Sequence, residues 1–310
     1  MTNFSFVIPN FNGAHLLPKC LRSLPKNQEV ILVDNGSTDQ SIKITQKLIP
    51  KIRIIKNSQN LGFAKAVNQG ILAATNDYVA LVNNDIVLQP NWFQNIARAI
   101  SQNKNPPTVV FTGLVLNRHG TRIESEGLQY FSYGKCLNIN NGKNFNFENY
   151  NLKLGHPHKI WGANAACTVY HRQTLINIGL FDQDFFAYEE DVDLALRLHH
   201  LGYSTLYVPN AIAYHIGGAT SSKMGNFRHR MDARNWIYII IKNYSSKELL
   251  TNLPQIVVER LRNLSGLIKN TSLLHILPSI LSVYTIMLIN IPLMIRKRRQ
   301  IAKLPYGHRH

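Results

Sequence analysis

The sequence predicts an α/β protein with a doubly wound, mostly parallel sheet and a helical, basic C-terminal extension. Short runs rich in Val and Ile alternate with longer segments in which apolar residues recur at helical spacing, and this alternation is typical of βα units. Charge marks the extension, because residues 219–310 hold 15 Lys and Arg against 3 Asp and Glu, which is +12 of the formal net charge of +17. We therefore expect one domain over residues 1–222 and a helical, basic region over residues 223–310.

The predicted elements follow one another in βα order. The first strands are Phe4–Ile8, Val30–Val33, Ile52–Ile55 and Tyr78–Val82, and the helices between them are about Leu16–Ser23, Ser41–Leu48 and Gly62–Ala73. Later strands are expected at Val109–Phe111, Ala166–Tyr170, Thr205–Val208 and Ile212–His215, with a helix from about Glu190 to Leu201 that Gly202 ends. Residues 138–151 are too rich in Asn for a core element, so we expect an insertion or a mobile loop there.

The composition excludes several classes of protein. Apolar residues make up 45% of the chain and charged residues 16%, which is typical of a globular protein and not of a disordered one. Cys20, Cys136 and Cys167 lack the paired spacing of a zinc site or a redox dithiol, so we expect reduced structural thiols. The N-terminus lacks the basic stretch and long apolar run of a signal peptide, which predicts a cytoplasmic domain.

The C-terminal extension combines apolar runs with basic residues. Residues 276–295 are mostly apolar and are followed directly by Arg296, Lys297, Arg298 and Arg299. This length approaches that of a bilayer span, although two prolines and Asn290 weaken that interpretation. A pair of interfacial helices on anionic lipid and a helical cap on the first domain are the alternatives. We favour peripheral attachment to a membrane surface and expect no nucleic-acid partner.

Polar residues follow the second predicted strand, where an open α/β sheet binds its ligands. Asp34 closes the strand and Asn35 and Gly36 begin a turn. A structural turn, in which Gly36 permits a positive φ and Ser37 caps the next helix, explains the pattern equally well. As an acceptor at a strand end, Asp34 could also take the imide N–H of a pyrimidine base.

The strand Tyr78–Val82 likewise ends in oxygen-bearing side chains, Asn83, Asn84 and Asp85. A diphosphate at such a place needs a hard cation, and Mg²⁺ or Mn²⁺ prefers one or two protein carboxylates together with phosphate oxygens. Asp85 fits that role. The structural alternative is an Asp that caps the helix expected to begin near Pro90.

Four acids stand within five positions at the start of the helix near residue 190, namely Glu189, Glu190, Asp191 and Asp193. Like charges this close repel, which raises a pKa or favours a shared cation, and a raised pKa suits a general base. Acids at a helix N-terminus also complement the helix dipole, and this explains some of the four.

Taken together, these motifs resemble glycosyltransferase family 2, an inverting family with the GT-A fold, in its rhamnosyltransferase-like branch. The resemblance covers about residues 4–222. It is carried by Val7 to Gly13, Asp34 to Asp39, Asn60 to Gly70, Asn83 to Asp85, Gly162 and Ala163, Glu190 to Arg197, and Gly202 with Tyr203. Several ordered motifs at these spacings are far more specific than any one alone.

The resemblance implies a role for each candidate residue. Asp34 would bind the base, Asp85 would be the metal ligand at the last position of a DxD motif whose first position is Asn83, and Asp191, beside Glu190, would be the catalytic base. The donor site as a whole would comprise Pro9, Asn10, Asp34, Asn35, Gly36, Asn60, Gly62, Phe63, Lys65, Asn68, Asn83 and Asn84.

Further roles have equally good structural alternatives. His215 matches a second metal ligand, but a solitary His at a strand end is as often a hydrogen-bonded structural residue. Trp161, with Gly162 and Ala163, would lie at the acceptor site, although a core Trp beside a glycine turn is as common. Arg234 would reach phosphates of donor or acceptor, whereas most of its basic neighbours fit a solvated helix face.

The resemblance thus implies an inverting glycosyltransferase that depends on a divalent metal, Mn²⁺ or Mg²⁺. The donor would be a UDP- or dTDP-linked sugar, dTDP-rhamnose being one candidate, and the acceptor a glycan or polyprenyl-linked hydroxyl in cell-surface polysaccharide synthesis. The enzyme would lie on the inner face of the plasma membrane. A sugar-phosphate nucleotidyltransferase and a catalytically degenerate membrane-associated binding protein are the alternatives, although the first usually has a Gly-rich phosphate loop after its first strand.

Overall fold

The structure is a computed structural model that describes residues 2–103, 107–147, 150, 155–217, 227–269 and 273–303. Its first part alternates strands and helices as the sequence predicts. The elements are β1 Phe4–Asn10, α1 Leu17–Ser23, β2 Glu29–Asp34, α2 Ser41–Leu48, β3 Arg53–Lys56, α3 Phe63–Ala73 and β4 Tyr78–Val82. Each begins or ends within a few residues of its predicted bounds, because the period of the apolar residues is clear in this part of the chain.

The middle of the chain is richer in strands than predicted. It contains β5 Ile86–Leu88, α4 Trp92–Gln102, β6 Thr108–Asn117, β7 Ile123–Ser125, β8 Leu128–Phe131, β9 Lys135–Asn138, β10 His158–Ile160, β11 Cys167–His171, α5 Arg172–Asn177, α6 Glu190–His200 and β12 Ser204–His215. The two strands expected at 205–208 and 212–215 form the single strand β12, with an irregularity between Val208 and Ile212.

One sheet organises these strands. Its order is β10-β12-β6-β11-β4-β1-β2-β3, with β5 paired to β12 and β7 to β6. Strands β3, β2, β1 and β4 pair in parallel, and so do β6 and β12, whereas β11 runs antiparallel to both β4 and β6. The carboxyl ends of β1, β2 and β4 therefore meet at one edge of the sheet.

Both faces of the central strands are buried, which explains their unbroken apolar runs. On β1, Phe6 and Ile8 pack with Trp92 of α4, whereas Val7 packs with α3 and Ile71 on the opposite face. Helix α3 lies close to the sheet because Gly70 has no side chain, since a Cβ there would lie 2.2 Å from Cγ1 of Val7. The start of α3 is thereby fixed beside the strand ends.

The Asn-rich segment 138–151 was expected to be an insertion or a mobile loop, and part of its described length packs against the sheet. Phe145 is buried against Leu114 and Leu116 of β6. The backbone N–H of Phe145 donates to the carbonyl of Thr121 at 2.7 Å. The segment is held by this ring and by further bonds, such as that between the hydroxyls of Tyr150 and Tyr207 at 2.8 Å. Residues 148, 149 and 151–154 lie outside the described part.

The C-terminal extension is helical, as predicted, and comprises α7 Phe227–Asn243, α8 Ser246–Lys269 and α9 Leu273–Ile301. Helix α7 buries Trp236, Tyr238 and Ile239 in a cluster that also holds Val192 and Leu196 of α6. The predicted domain boundary at residue 222 lies outside the described residues. Within the described part, no helix has both the length and the apolar character needed to cross a membrane.

Candidate active site

A cleft of about 410 Å³ opens at the carboxyl edge of the sheet, against the starts of α3 and α6. It brings together predicted residues from five separate motifs: Pro9, Asn10, Asn35, Asn60, Gly62, Phe63, Asn83, Asn84, Asp85, Glu190 and Asp191. Side chains that the sequence did not single out complete the lining, namely Phe11, Asn164, Ala165, Ala166, Phe186, Ala187, Tyr188 and Phe227. The candidate catalytic and metal-binding carboxylates therefore share one concave site.

Asp34 lies behind the cleft wall and is fully buried. Its Oδ1 accepts a hydrogen bond from Nδ2 of Asn10 at 3.0 Å, and its Oδ2 accepts one from the N–H of Ser37 at 3.1 Å. Asn84 donates from Nδ2 to Oδ1 of Asn10 at 2.8 Å. This chain of bonds ties together the ends of β4, β1 and β2, and it fixes the side chains that do reach the cleft.

The loop before α3 forms the next part of the wall. Asn35 donates from Nδ2 to Oδ1 of Asn60 at 2.9 Å and to the carbonyl of Gly62 at 3.1 Å. Gly62 has a φ of 87°, and a Cβ there would lie 2.6 Å from the carbonyl oxygen of Phe186. Only glycine therefore permits this close approach of the two backbones.

Besides Asp34, three predicted donor residues lie away from the cleft lining. Asn68 is buried and pairs with the backbone of Phe181, accepting at Oδ1 and donating from Nδ2. Gly36, with a φ of 82°, forms the turn after β2, and Lys65 is exposed on α3. Asn68 therefore has a packing role, Gly36 allows a turn, and Lys65 belongs to a solvated helix face.

Asp85 and His215 are brought together, as the sequence suggested, and a third residue joins them. His215 Nε2 lies 3.0 Å from Oδ2 of Asp85, and its Nδ1 lies 2.5 Å from Oε2 of Glu124. These hydrogen bonds raise the pKa of His215 to about 10, so the imidazole carries a proton at neutral pH in the absence of a metal. Glu124 comes from β7, in the part of the chain where no clear pattern was visible.

Two side-chain oxygens that follow β4 suit a hard cation. Oδ1 of Asp85 and Oδ1 of Asn83 are buried and have no hydrogen-bond partner within the described residues. Unsatisfied buried oxygens of this kind are what Mg²⁺ or Mn²⁺ requires. No group of three or more His, Cys, Asp and Glu side chains in the described part of the chain is arranged to hold a metal ion. Asp85 and Asn83 could therefore hold a cation only together with oxygens of a bound molecule.

The four clustered acids take separate roles in the structure. Asp191 accepts a hydrogen bond at Oδ2 from the N–H of Ala165 at 3.3 Å. Burial raises the pKa of Asp191, and burial together with the charge of Asp191 raises the pKa of Glu190 to about 8. Asp193 points away from the cleft and pairs with Lys242 and Arg197. Burial and the neighbouring Asp232 raise the pKa of Glu189. Only Glu190 and Asp191 line the cleft.

The segment that leads into α6 has an unusual backbone. Phe186, Tyr188 and Glu189 have φ values of 63°, 69° and 64°, a region that side-chain-bearing residues rarely adopt. Each such residue costs about 1–3 kcal/mol and persists only where neighbouring structure enforces it. The strain lies directly before the two carboxyls of the cleft.

The residues expected at the acceptor site lie outside the cleft lining. The indole of Trp161 stacks on Tyr130 at 4.7 Å and on His199 at 6.4 Å between ring centres. The carbonyl of Gly162 accepts from the N–H of Leu128 at 2.8 Å, and Ala163 is buried. The indole is partly buried and contacts these two rings, as the packing alternative for Trp161 predicts.

Arg234, the remaining acceptor candidate, contacts backbone instead of the cleft. Its Nη2 donates to the carbonyls of Asp184 at 3.2 Å and Phe185 at 2.7 Å. Sequence spacing did not indicate this contact, because residues 184 and 234 meet only through the packing of α7 against α6.

Comparison with known proteins agrees with this geometry. The family model described as glycosyl transferase family 2 matches residues 5–179. The amylovoran biosynthesis glycosyltransferase AmsE of Erwinia amylovora is 27% identical over 246 residues, which cover 76% of this chain and 81% of that protein. An N-acetylglucosaminyl-diphospho-decaprenol L-rhamnosyltransferase of Mycobacterium tuberculosis is 25% identical over 210 residues, covering 60% of this chain and 66% of that protein.

Solved structures share the fold. The crystal structure of GalNAc-T7 with UDP, GalNAc and Mn²⁺ superposes with a TM-score of 0.58 at 16% identity, covering 78% of this chain and 48% of the other. The match extends over about half of that longer chain, and the predicted GT-A fold is confirmed. With the family model matching more than half of its residues, the chain belongs to glycosyltransferase family 2.

Proposed function

We propose that this glycosyltransferase moves a sugar, with inversion, from a nucleotide-diphosphate sugar to a hydroxyl of a glycan or polyprenyl-linked acceptor. The observation that carries the proposal is that Asp85 and Asp191 line the same cleft. Asp85 follows β4, and Asp191 lies at the start of α6. Asp85 would hold a cation beside the diphosphate, and Asp191 would accept a proton.

The donor would lie along the ends of β1 and β2. Asn10, Asn35 and Asn60 line the cleft at these ends. The amides of Asn10 and Asn35 are buried and bonded within the cleft wall, so they would fix the shape of the donor site instead of pairing with the base. Asp34 would act behind them by fixing the amide of Asn10. A UDP- or dTDP-linked donor, with dTDP-rhamnose as one candidate, is supported by UDP in a structure of the same fold and by the rhamnosyltransferase relative.

A divalent cation, Mn²⁺ or Mg²⁺, would be held by Asp85 and Asn83 and would neutralise charge on the leaving nucleoside diphosphate. The Mn²⁺ in the structure of the related fold supports this choice. His215, already paired with Asp85, would supply a further ligand once it gives up its proton. Glu124 would then hold the ring through Nδ1, as outer carboxylates do for metal-bound imidazoles.

Asp191 would accept the proton of the acceptor hydroxyl as that oxygen attacks the anomeric carbon, and a single displacement inverts the configuration there. Glu190, with a pKa of about 8, keeps its proton at neutral pH. A neutral Glu190 adds no like charge beside Asp191, which favours the ionised form of Asp191. The cell-surface setting is supported by the relative that acts in amylovoran biosynthesis.

A thermal-shift panel tests the proposal. Ligand at 100 times its Kd adds about 2.7 kcal/mol of stability, so the correct UDP-, dTDP- or GDP-sugar should raise the unfolding midpoint by several degrees in the presence of Mn²⁺. Asp85→Asn should lose the part of the shift that depends on Mn²⁺. The matched control Asp77→Asn, an exposed acid before β4 at the opposite end of the strand, should keep it.

Two outcomes of this panel would argue against the proposal. If no nucleotide sugar moves the midpoint, the cleft is not a donor site. If Asp85→Asn retains the full Mn²⁺-dependent shift, the cation is held elsewhere.

We further propose that the chain attaches peripherally to the inner face of the plasma membrane. On α9, Leu288 is 61% and Ile289 is 70% exposed, and Ile295 on the same helix is 39% exposed directly before Arg296. Exposed apolar residues next to basic ones are typical of an interfacial helix on anionic lipid. Helix α8 adds a second exposed apolar stripe, Leu250, Val257 and Leu261.

Vesicle co-sedimentation tests the attachment. We expect binding to vesicles that contain anionic lipid, weaker binding at high salt, and a clear loss in the double variant Leu288→Gln with Ile289→Gln. Leu72→Gln is the matched control, because Leu72 is 55% exposed but lies on α3. Binding that is unaffected by the α9 substitutions, or equal on uncharged vesicles, would contradict the proposed surface.

A further inference from the structure

The strained segment before α6, residues 184–189, forms part of the cleft wall. Phe186, Ala187 and Tyr188 line the cleft, and the chain continues directly into Glu190 and Asp191. Because neighbouring residues share a backbone, the conformation of this segment sets where the carboxyl of Asp191 lies. Whatever holds the segment therefore helps to position that carboxyl.

Asn235 of α7 contacts this segment at three points. Its side chain is fully buried, and Nδ2 lies 3.1 Å from the carbonyl oxygen of Phe185, 3.0 Å from that of Ala187 and 2.7 Å from that of Tyr188. The amide nitrogen carries two N–H groups, and three carbonyl oxygens lie within hydrogen-bond distance of it. Both N–H groups therefore have an acceptor in the segment. No apolar or acidic side chain of similar size could replace these contacts.

Arg234 supports the same arrangement. Its Nε donates to Oδ1 of Asn235 at 2.9 Å, which orients the amide so that its nitrogen faces the segment. Its Nη2 adds hydrogen bonds to the carbonyls of Asp184 and Phe185. The guanidinium also lies over the ring of Tyr238, 5.3 Å from its centre. Arg234 thus contacts the segment both directly and through Asn235.

The opposite side of the segment is held by the start of α3. The carbonyl of Phe186 accepts from the N–H of Phe63 at 2.6 Å and from that of Ala64 at 3.4 Å. These are N–H groups that a helix cannot satisfy within itself. The segment therefore joins α3, on the donor side of the cleft, to α7 of the C-terminal extension.

We infer that Arg234 and Asn235 are positioning residues for sugar transfer, which hold residues 184–189 in their strained conformation so that Asp191 faces the acceptor hydroxyl. The part played by Asp191 rests on the proposed function. Without the two side chains, Phe186, Tyr188 and Glu189 are free to return to negative φ, and the start of α6 moves with them. Arg234 acts through the backbone and does not touch the substrate.

Asn235→Ala tests the inference against a matched control, Asn243→Ala. Asn243 is a buried Asn on the same helix, but its amide donates to Asp193 and to the carbonyl of Ile239, away from the segment. Two quantities are measured for each variant: kcat with KM for the donor, and the hydrogen-exchange rates of the Phe63 and Ala64 amides, which bond to the segment.

We expect Asn235→Ala to lower kcat by about 10²-fold, the effect of a misplacement near 1 Å, and to speed exchange at Phe63 and Ala64. Asn243→Ala should lower the unfolding midpoint by a similar amount without either change. An Asn235→Ala enzyme whose kcat and exchange rates match those of the control would overturn the inference. If the wild-type protein transfers no sugar, the proposed function fails, and the exchange rates still decide whether the segment is held by Asn235.

Arg234→Met provides the second variant in case Asn235→Ala does not fold. The substitution keeps an apolar stem against Tyr238 and removes the bonds to Asp184, Phe185 and Asn235. A slower turnover with unchanged donor KM supports a positioning role. An unchanged kcat with unchanged exchange at Phe63 contradicts it.

Discussion

Replacing Lys242 with Met is expected to destabilise the protein by about 3 kcal/mol, the lower end of the range for a broken buried ion pair, because Asp182 and Asp193 each lose one of their two cations. Lys242 is almost fully buried on α7, and its Nζ lies 2.6 Å from a carboxylate oxygen of Asp182 and 2.8 Å from one of Asp193. Asp193 belongs to α6, the helix that begins with the candidate catalytic acids. The ion cluster thus joins the C-terminal extension to the active-site helix, and Lys297 of α9 contacts Asp182 from the other side.

The effect of Lys242→Met should depend on pH in a defined direction. Burial alone would raise the pKa of Asp182 and of Asp193, but Lys242, with Lys297 and Arg197 respectively, holds each below its usual value. A carboxyl whose pKa is lowered by folding stabilises the protein above its unfolded pKa, near 4, and loses that contribution as the pH falls. The difference between wild type and variant should therefore be largest near neutral pH and should shrink in acid.

Urea titrations at several pH values measure this difference in the free energy of unfolding. Lys47→Met, at an exposed position of α2, is the control and should stay within about 0.5 kcal/mol of the wild type. A loss under about 1 kcal/mol for Lys242→Met, or one that does not change with pH, would show that the cluster does not join the helices as described.

The sequence predicted the first half of the fold closely because each element there has a clear apolar period and clear ends. The same pattern located Asn83, Asn84 and Asp85, since a run of buried residues such as Tyr78–Val82 must end where polar side chains begin. The strand ends are adjacent in a parallel sheet, so the meeting of Asn10, Asn35 and Asp85 followed from local information.

Contacts between distant segments were not predictable in this way. Glu124 reaches His215 across 91 residues of chain, and Lys242 reaches Asp193 across 49, with no spacing rule that links them. The hairpin of β8 and β9, which covers one face of Trp161 with Tyr130, lies where no periodic pattern was visible. The sequence could therefore name aromatic and charged candidates but not the side chains that cover or pair them.

The four acids near residue 190 show the limit most clearly. All four stand within five positions, and only the family resemblance distinguished Asp191 and Glu190 as the catalytic pair. Packing separates them, because Asp193 turns inward to Lys242 whereas Glu190 and Asp191 face the cleft. The direction in which each acid points depends on how α7 packs against α6. A local sequence pattern carries no information about that packing.

Asp191→Asn is expected to lower sugar transfer by about 10²–10⁴-fold, the usual contribution of a general base. Asn has nearly the same shape as Asp and can keep the hydrogen bond from the N–H of Ala165, so the fold and the cleft should survive. It cannot accept a proton at neutral pH. Glu190→Gln should have a much smaller effect, because Glu190, with a pKa of about 8, already carries a proton there.

Transfer and donor binding measured on the same Asp191→Asn preparation test the central claim most directly. Transfer is followed as release of the nucleoside diphosphate in the presence of acceptor, and donor binding as the rise in the unfolding midpoint with the nucleotide sugar and Mn²⁺. The account predicts an unchanged thermal shift and transfer reduced by about 10²-fold or more. Transfer at the wild-type rate by Asp191→Asn would contradict it.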